Sequence, residues 1–186
     1  MQIQEKIRPQ QAATRKQSWV DRLPAEVAAV LTEFRSAEVS TLAKDGTPIA
    51  WPMVVLYQPE RGRFVTTTSI GLPQKAYNVR RDGRMSILYS NPTASGLTNP
   101  PAVLVQGDAT APDEVVTWNE DLRQLWSLLA VRQPGSNVYA TNPLGRALMD
   151  WYYMRLLLII VPRRILWWPD GDFSRAPREI EVGNVG

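Results

Sequence analysis

The stretch Thr66 to Arg84, TTTSIGLPQKAYNVRRDGR, carries the densest set of chemically useful residues in the chain. Thr66, Thr67, Thr68 and Ser69 end an apolar segment, Gly71 lies in a short loop, and Pro73-Gln74-Lys75 opens a helix. Hydroxyl donors, the backbone N–H groups of a helix start and a cation are what a phosphomonoester requires. From Lys75 to Arg84 there are four basic residues (Lys75, Arg80, Arg81, Arg84) and one acid (Asp82). That net of +3 equals the excess of the whole chain. A solvated amphipathic helix with surface arginines would show the same pattern, so the segment alone leaves both readings open.

The remaining composition narrows the chemistry. The 186 residues contain no His and no Cys. This excludes a Ser-His-Asp triad, thiolate or imidazole metal ligands, iron–sulfur clusters and a cysteine nucleophile. An enzyme built from this chain needs a cofactor to carry the chemistry. The acidic residues form no close pair suited to acid–base work. Tyr57, Tyr77 and Tyr89 are the candidate proton donors, and the sequence does not select among them. Of the seven tryptophans, Trp118 and Trp126 fall on a helical apolar stripe and read as core. Trp51, Trp151, Trp167 and Trp168 flank apolar strands, where one could stack on a planar ring.

The elements that must position these residues are mostly strands. Residues 1–22 read as a flexible N-terminal arm. A helix begins near Pro24, with Val27, Val30, Leu31 and Phe34 at i, i+3, i+4 and i+7. Strands are expected over 38–43, 48–57, 63–68, 84–90 and 102–111. Lys44-Asp45-Gly46-Thr47 makes the first hairpin, and Gly107 marks a bulge. Asp113 is expected to cap a helix running to about Val131, within an inserted segment spanning 113–150. An apolar strand over 151–161 and a last strand over 163–168 follow. The tail, 169–186, reads as irregular. This pattern predicts a mainly β (α+β) chain, an antiparallel six-stranded barrel with peripheral helices, its domain spanning 23–168.

Order and spacing carry a resemblance. Val39-Ser-Thr-Leu-Ala-Lys-Asp-Gly-Thr-Pro-Ile-Ala-Trp-Pro-Met, then Arg63-Phe-Val-Thr-Thr-Thr, then Lys75-Ala-Tyr-Asn-Val-Arg-Arg-Asp-Gly-Arg-Met-Ser-Ile-Leu-Tyr, then Val103-Leu-Val-Gln-Gly-Asp-Ala-Thr follow one another. Together they resemble the pyridoxamine 5'-phosphate oxidase-like superfamily of FMN-binding split β-barrels, over about residues 36–112 and more weakly over 161–167. The resemblance implies a homodimer holding FMN, or the deazaflavin F420, between subunits. It implies hydride transfer to or from a small-molecule substrate that the sequence does not name. By position, Thr66, Thr67, Thr68 and Ser69 would border the phosphate and ribityl chain, with Lys75 on the phosphate and Gln74 nearby. Pro52, Met53, Val54 and Val55 would run along the ring, and Arg80 is a further candidate. At Arg84 a structural salt bridge is the better reading.

Departures from the family pattern also count. The loop from Thr68 to Lys75 is slightly longer than the common form, and Gly83 replaces a common Pro. The oxidase's own Arg-x-His substrate motif is missing, which argues against pyridoxamine phosphate as substrate. The haem-degrading relatives also rely on histidine. A flavin-binding carrier or sensor without turnover is the alternative from a different class. A nucleic-acid partner is not expected, because the basic excess sits in one short segment. No apolar stretch reaches the roughly 20 residues of a membrane span, and the start of the chain has no apolar signal region. A cytoplasmic protein is therefore expected.

Overall fold

The computed structural model describes residues 18–132 and 153–183. In chain order these hold α1 (Ala25–Glu33), β1 (Ala37–Leu42), β2 (Pro48–Met53), β3 (Leu56–Gln58), β4 (Arg63–Ser69), α2 (Gln74–Arg81), β5 (Arg84–Tyr89), β6 (Ala102–Thr110), α3 (Glu120–Arg132), β7 (Arg155–Trp168) and β8 (Arg178–Ile180). The strands form one antiparallel sheet in the order β2-β1-β5-β6-β7-β4-β3, with β8 added along β7. The first and last strands of that path, β2 and β3, are separated only by Val54 and Val55. The three Cα steps from Met53 to Leu56 reach about 10 Å at most. The sheet must therefore curl until its two edges meet. Thr66 in β4 donates its Oγ1 hydrogen bond to the Val54 carbonyl at 2.8 Å and ties the junction to the wall.

Strand alternation fills the curl. Ala37, Val39 and Thr41 of β1 and Met85, Ile87 and Tyr89 of β5 point inward, and their neighbours face out. The helical stripe of Val27, Val30, Leu31 and Phe34 is buried against this core, as its spacing requires. On the opposite face of β4, Val65 joins a second cluster with Val116, Leu122 and Leu157, and α3 covers it. That helix is held by one carboxylate. Asp121 accepts both Arg63 Nη2 (2.8 Å to each oxygen), Arg61 Nη1 (3.0 Å) and Gln58 Nε2 (2.9 Å).

Several sequence expectations are corrected. The described residues hold eight strands rather than six. The expected 48–57 strand breaks at the closure into β2 and β3, and the tail supplies β8. The two expected last strands are one 14-residue strand, β7. Pro162 does not interrupt it because it lies opposite Gly107, where the β6–β7 register shifts. A bulge leaves a ladder position without need of an N–H. The expected helix from Asp113 begins instead at Glu120. Val115, Val116 and Thr117 are β-branched, and Val116 pairs antiparallel with Arg155. The Asn119 side chain does the capping, accepting the Leu122 N–H at 2.8 Å. Trp118, expected in the core, is 71% exposed. Ser18 caps the turn Trp19–Arg22, and Trp19 is buried over Phe64 and Tyr57, with ring centroids 6.2 and 6.0 Å away. Residues 1–17 and 133–152, which include most of the arm, the later part of the insert and Trp151, lie outside the described residues.

Gly107 has no room for a side chain. A Cβ there would come 2.3 Å from the Val161 carbonyl oxygen and 3.0 Å from Pro162 Cα. Both obstacles are backbone, so the strands must separate. Gly107→Ala is expected to cost roughly 2–4 kcal/mol of stability, read as a lower urea midpoint. An unchanged midpoint would show that the β6–β7 bulge is not a tight constraint.

Candidate functional site

The threonine-rich end of β4 divides its work between the two faces of the strand. The Thr66 hydroxyl is spent on Val54, and Thr68 Oγ1 donates to the Leu72 carbonyl at 2.6 Å. Ser69 Oγ accepts the Gly71 N–H at 3.2 Å. Thr68 and Ser69 thus shape the tight loop that delivers the chain into α2. Thr67 points the other way, toward the face covered by α3. Its Oγ1 accepts two hydrogen bonds from the Arg155 guanidinium, from Nε at 3.1 Å and Nη2 at 2.9 Å. A hydroxyl has two lone pairs and one proton. Both acceptor positions being occupied, what Thr67 has left to offer is its O–H.

Lys75 follows one turn later. It is half-buried, its ammonium lies 4.5 Å from the centre of the Trp51 ring, and it makes no hydrogen bond or ion pair among the described residues. Burial, and secondarily the Arg155 charge, hold its pKa below the usual lysine value. Arg155 in turn lies over the Trp126 ring of α3 at 5.6 Å, and Trp126 meets Tyr153 at 5.9 Å. The end of β4 is thus flanked by two cation–aromatic pairs, Lys75 with Trp51 and Arg155 with Trp126, the second also bonded to Thr67. Keeping an ammonium there without a counter-charge costs stability. Such a cost is found where a negatively charged ligand repays it.

The other expected site residues are distributed as follows. Pro52 is exposed and pairs with Glu38 on β1, Met53 is half-buried, and Val54 and Val55 are buried in the barrel closure. Gln74 donates to Asn78 Oδ1 at 2.9 Å, and buried Asn78 donates to Thr41 Oγ1 at 3.0 Å, fastening α2 to β1. Arg80 turns away from Lys75. It binds the carbonyls of Ala111 and Pro112 and pairs with Asp113 at 2.9 Å, so its role here is to hold the end of β6. Arg81 reaches the Leu42 carbonyl at 2.5 Å, and Arg84 pairs with Asp82 at 2.6 Å, the structural bridge expected of it. The Arg84 bridge holds the Asp82 pKa down at about 2.

Two of the three candidate proton donors are withdrawn from solvent. The hydroxyls of Tyr57 and Tyr89 are buried without a hydrogen-bond partner. Desolvation, with Glu60 adding to it, pushes the Tyr57 pKa up to about 12, and burial pushes Tyr89 up as well. Tyr77 is 52% exposed and meets Arg80 at 5.9 Å. Sequence reasoning did not select Arg155 as a site residue. Its signal was faint: one charge at the head of the apolar run Leu156 to Val161. Surface cavities of about 510, 620 and 240 Å³ are lined by other residues. The first lies on the outer face of the sheet between Ser40, Ser86, Gln106 and Arg164.

No protein-family model and no curated protein matches the sequence. Solved structures do share the fold. A protein related to general stress protein 26, of the pyridoxinephosphate oxidase family, from Clostridium acetobutylicum is 11% identical; the match covers 84% of this chain and 92% of that one, with a TM-score of 0.55. An FAD-binding protein from Mesorhizobium loti is 20% identical, covering 77% and 92%, with a TM-score of 0.51. A heme binding protein from Mycobacterium smegmatis is 16% identical, covering 86% and 59%, with a TM-score of 0.54. The chain therefore has the split-barrel fold of the pyridoxamine 5'-phosphate oxidase-like proteins, as its motif order implied. At these identities the likeness concerns fold alone. No helix among the described residues is long and apolar enough to cross a membrane.

Lys75→Met separates stability from binding. Lys75 holds fewer protons folded than unfolded just below the ordinary lysine pKa, so its charge works against folding at neutral pH, and the penalty fades as pH rises through that window. The variant is expected to melt about 1–4 °C higher at pH 7, with the gain shrinking toward pH 10. A lower melting temperature would mean that Lys75 serves the fold.

Proposed function

We propose that this protein is an FMN-dependent oxidoreductase that binds its cofactor at a homodimer interface and exchanges hydride with a small organic substrate. The observation that carries the reading is Lys75: a half-buried ammonium without a counter-charge among the described residues, at the end of a hydroxyl-bearing strand, beside Arg155 and over an indole face. That donor set fits a phosphomonoester tail, and Trp51 offers an apolar surface close by. When bound, the isoalloxazine ring supplies the hydride chemistry. Lys75 and Thr67 would hold the tail, and the loop shaped by Thr68 and Ser69 would fix its approach. Pro52 and Met53 would border the ring, with only the backbone of Val54 and Val55 near it, since both side chains are buried.

The homodimer reading has its own support. Leu72 and Tyr77, on either side of Lys75 in sequence, are 67% and 52% exposed, and Val115 and Trp118, flanking the Val116–Arg155 pair, are 50% and 71% exposed. A second copy of the chain covering these apolar groups would close the site. F420 remains the alternative cofactor. A carrier or sensor would bind the same ligand without turnover.

The test is a titration of the protein with FMN followed by flavin fluorescence, together with light scattering for the oligomer. Saturable binding to a dimer is expected. Lys75→Ala should weaken affinity by roughly 1.5–3 kcal/mol, about 10- to 150-fold. Unchanged affinity in that variant would remove the site. Bound FMN that is neither reduced nor reoxidised with any substrate would leave the carrier reading.

A further inference from the structure

A separate concavity lies where β6 starts and β7 ends. Cavities of about 620 and 240 Å³ sit on either side of one strap, Leu97–Pro101, which lines both. The facing wall is the turn Pro169–Gly171, and Asp170 is shared by the two cavities. Strap and turn meet, since a Cβ on Gly171 would lie 3.7 Å from the Pro100 carbonyl oxygen. No residue of the candidate cofactor site lines either cavity. Ala102, in the larger one, stands about 26 Å along β6 from Thr110, beyond which Arg80 of α2 bonds. Both walls hold an unfavourable backbone form. Ala94, Asn99 and Asp170 are the non-glycine residues with positive φ among the described residues, at 59°, 45° and 55°. The loop that carries the strap is lightly tied. The amides of Thr93, Ser95 and Leu97 bond only within it, and Arg35 Nε reaches the Ala94 carbonyl at 2.8 Å. A strained wall with few bonds to the body can adjust around a ligand.

The lining decides what fits. Phe34, Leu97, Pro100 and Pro101 give an apolar bed, and Phe173, 55% exposed and 5.1 Å from the Trp168 ring, stands at its edge. The charge in the lining has one sign. Glu26 and Asp170 line the smaller cavity without a hydrogen bond or ion pair among the described residues, and no Lys or Arg of those residues lines either cavity. We propose that this end of the barrel binds a small organic cation, an ammonium group on an apolar body, between the strap and the Pro169–Gly171 turn. The ammonium would meet the Asp170 carboxylate, with Glu26 adding to the field, and the apolar body would lie on Phe34 and the strap prolines. Phe173 offers its ring to the same charge. An anion is rejected, because both carboxylates repel it and no cation repays its loss of water. The larger cavity falls within the roughly 300–1,000 Å³ of small-molecule sites. The site needs no flavin and stands apart from the reading of Lys75.

The experiment is an NMR titration of the isotope-labelled full chain, without flavin, using three probes of one shape: benzylammonium, benzyl alcohol and benzoate. Benzylammonium is expected to give saturable shifts at the amides of Leu97, Thr98, Asn99, Gly171 and Phe173. It should bind about three- to tenfold more tightly than benzyl alcohol, with benzoate weakest. Asp170→Asn keeps a residue that tolerates positive φ. It should remove most of that preference while the alcohol's affinity changes by less than about twofold. Glu26→Gln should remove part of it, and Glu60→Gln, a carboxylate outside both cavities, none. If Asp170→Asn fails to fold, Glu26→Gln carries the comparison. Shifts that do not saturate below about 10 mM overturn the proposal. So do shifts centred on Trp51 and Lys75 instead of the strap, and so does equal affinity for the ammonium and the benzoate. An ammonium preference that survives in the folded double variant of Glu26→Gln with Asp170→Asn overturns it as well.

Discussion

The junction at Val54 and Val55 is the constraint on which the rest of the architecture depends. Two residues between the first and last strands of the sheet leave no freedom for an open, gently twisted layer. Once the edges are joined, β4 must run beside the closure, and Thr66 is committed to bonding Val54. The next inward residue, Thr68, then bends the chain toward α2, and the outward one, Thr67, is left facing a different neighbourhood. A run of identical residues thus acquires three separate tasks from alternation alone. The position of Lys75 follows, because the loop that Thr68 and Ser69 tighten sets the first turn of α2 against Trp51.

A second theme is where the protein places its charges. Several of its arginines are paired with carboxylates. Arg84 with Asp82, Arg164 with Glu179 and Arg123 with Glu120 are exposed bridges that contribute little each. Asp121 is different, since it is nearly buried and serves two arginines and a glutamine at once. Breaking it would strand Arg63, which is only 18% exposed. Lys75 has no ion pair among the described residues, and burial disfavours its charge, as it does that of Arg132, which instead bonds the carbonyls of Thr32 and Val55. Ordinary folding logic would neutralise or expose Lys75, which is why the functional reading begins there.

Much of the fold could be read from the residues because the signals were local. Asp45-Gly46 made the first hairpin, Gly107 the bulge, and the spacing of Val27, Val30, Leu31 and Phe34 the first helix. The errors came where a distant partner decided the outcome. Val115 to Trp118 carry a helical stripe, yet Arg155, nearly forty residues on, offers Val116 a strand pairing that β-branched residues take readily. Pro162 looked like a strand end because its partner Gly107 was not in view. Within the candidate site, Lys75 and the hydroxyls were legible by type. Arg80 and Arg155 were not distinguishable by type, and only the tertiary arrangement sends one to the end of β6 and the other to Thr67. The family resemblance supplied order, and order fixed the fold more firmly than the chemistry.

The barrel interior also contains two phenols, Tyr57 and Tyr89, whose oxygens meet neither solvent nor partner. Each keeps its proton in the folded chain well beyond the point at which an unfolded tyrosine gives it up. Above about pH 10 the unfolded ensemble therefore sheds protons that the native state retains, and base draws the equilibrium toward unfolding. Alkali should accordingly reveal these rings by breaking the molecule open, so that phenolate absorbance and loss of structure arrive together as one cooperative event.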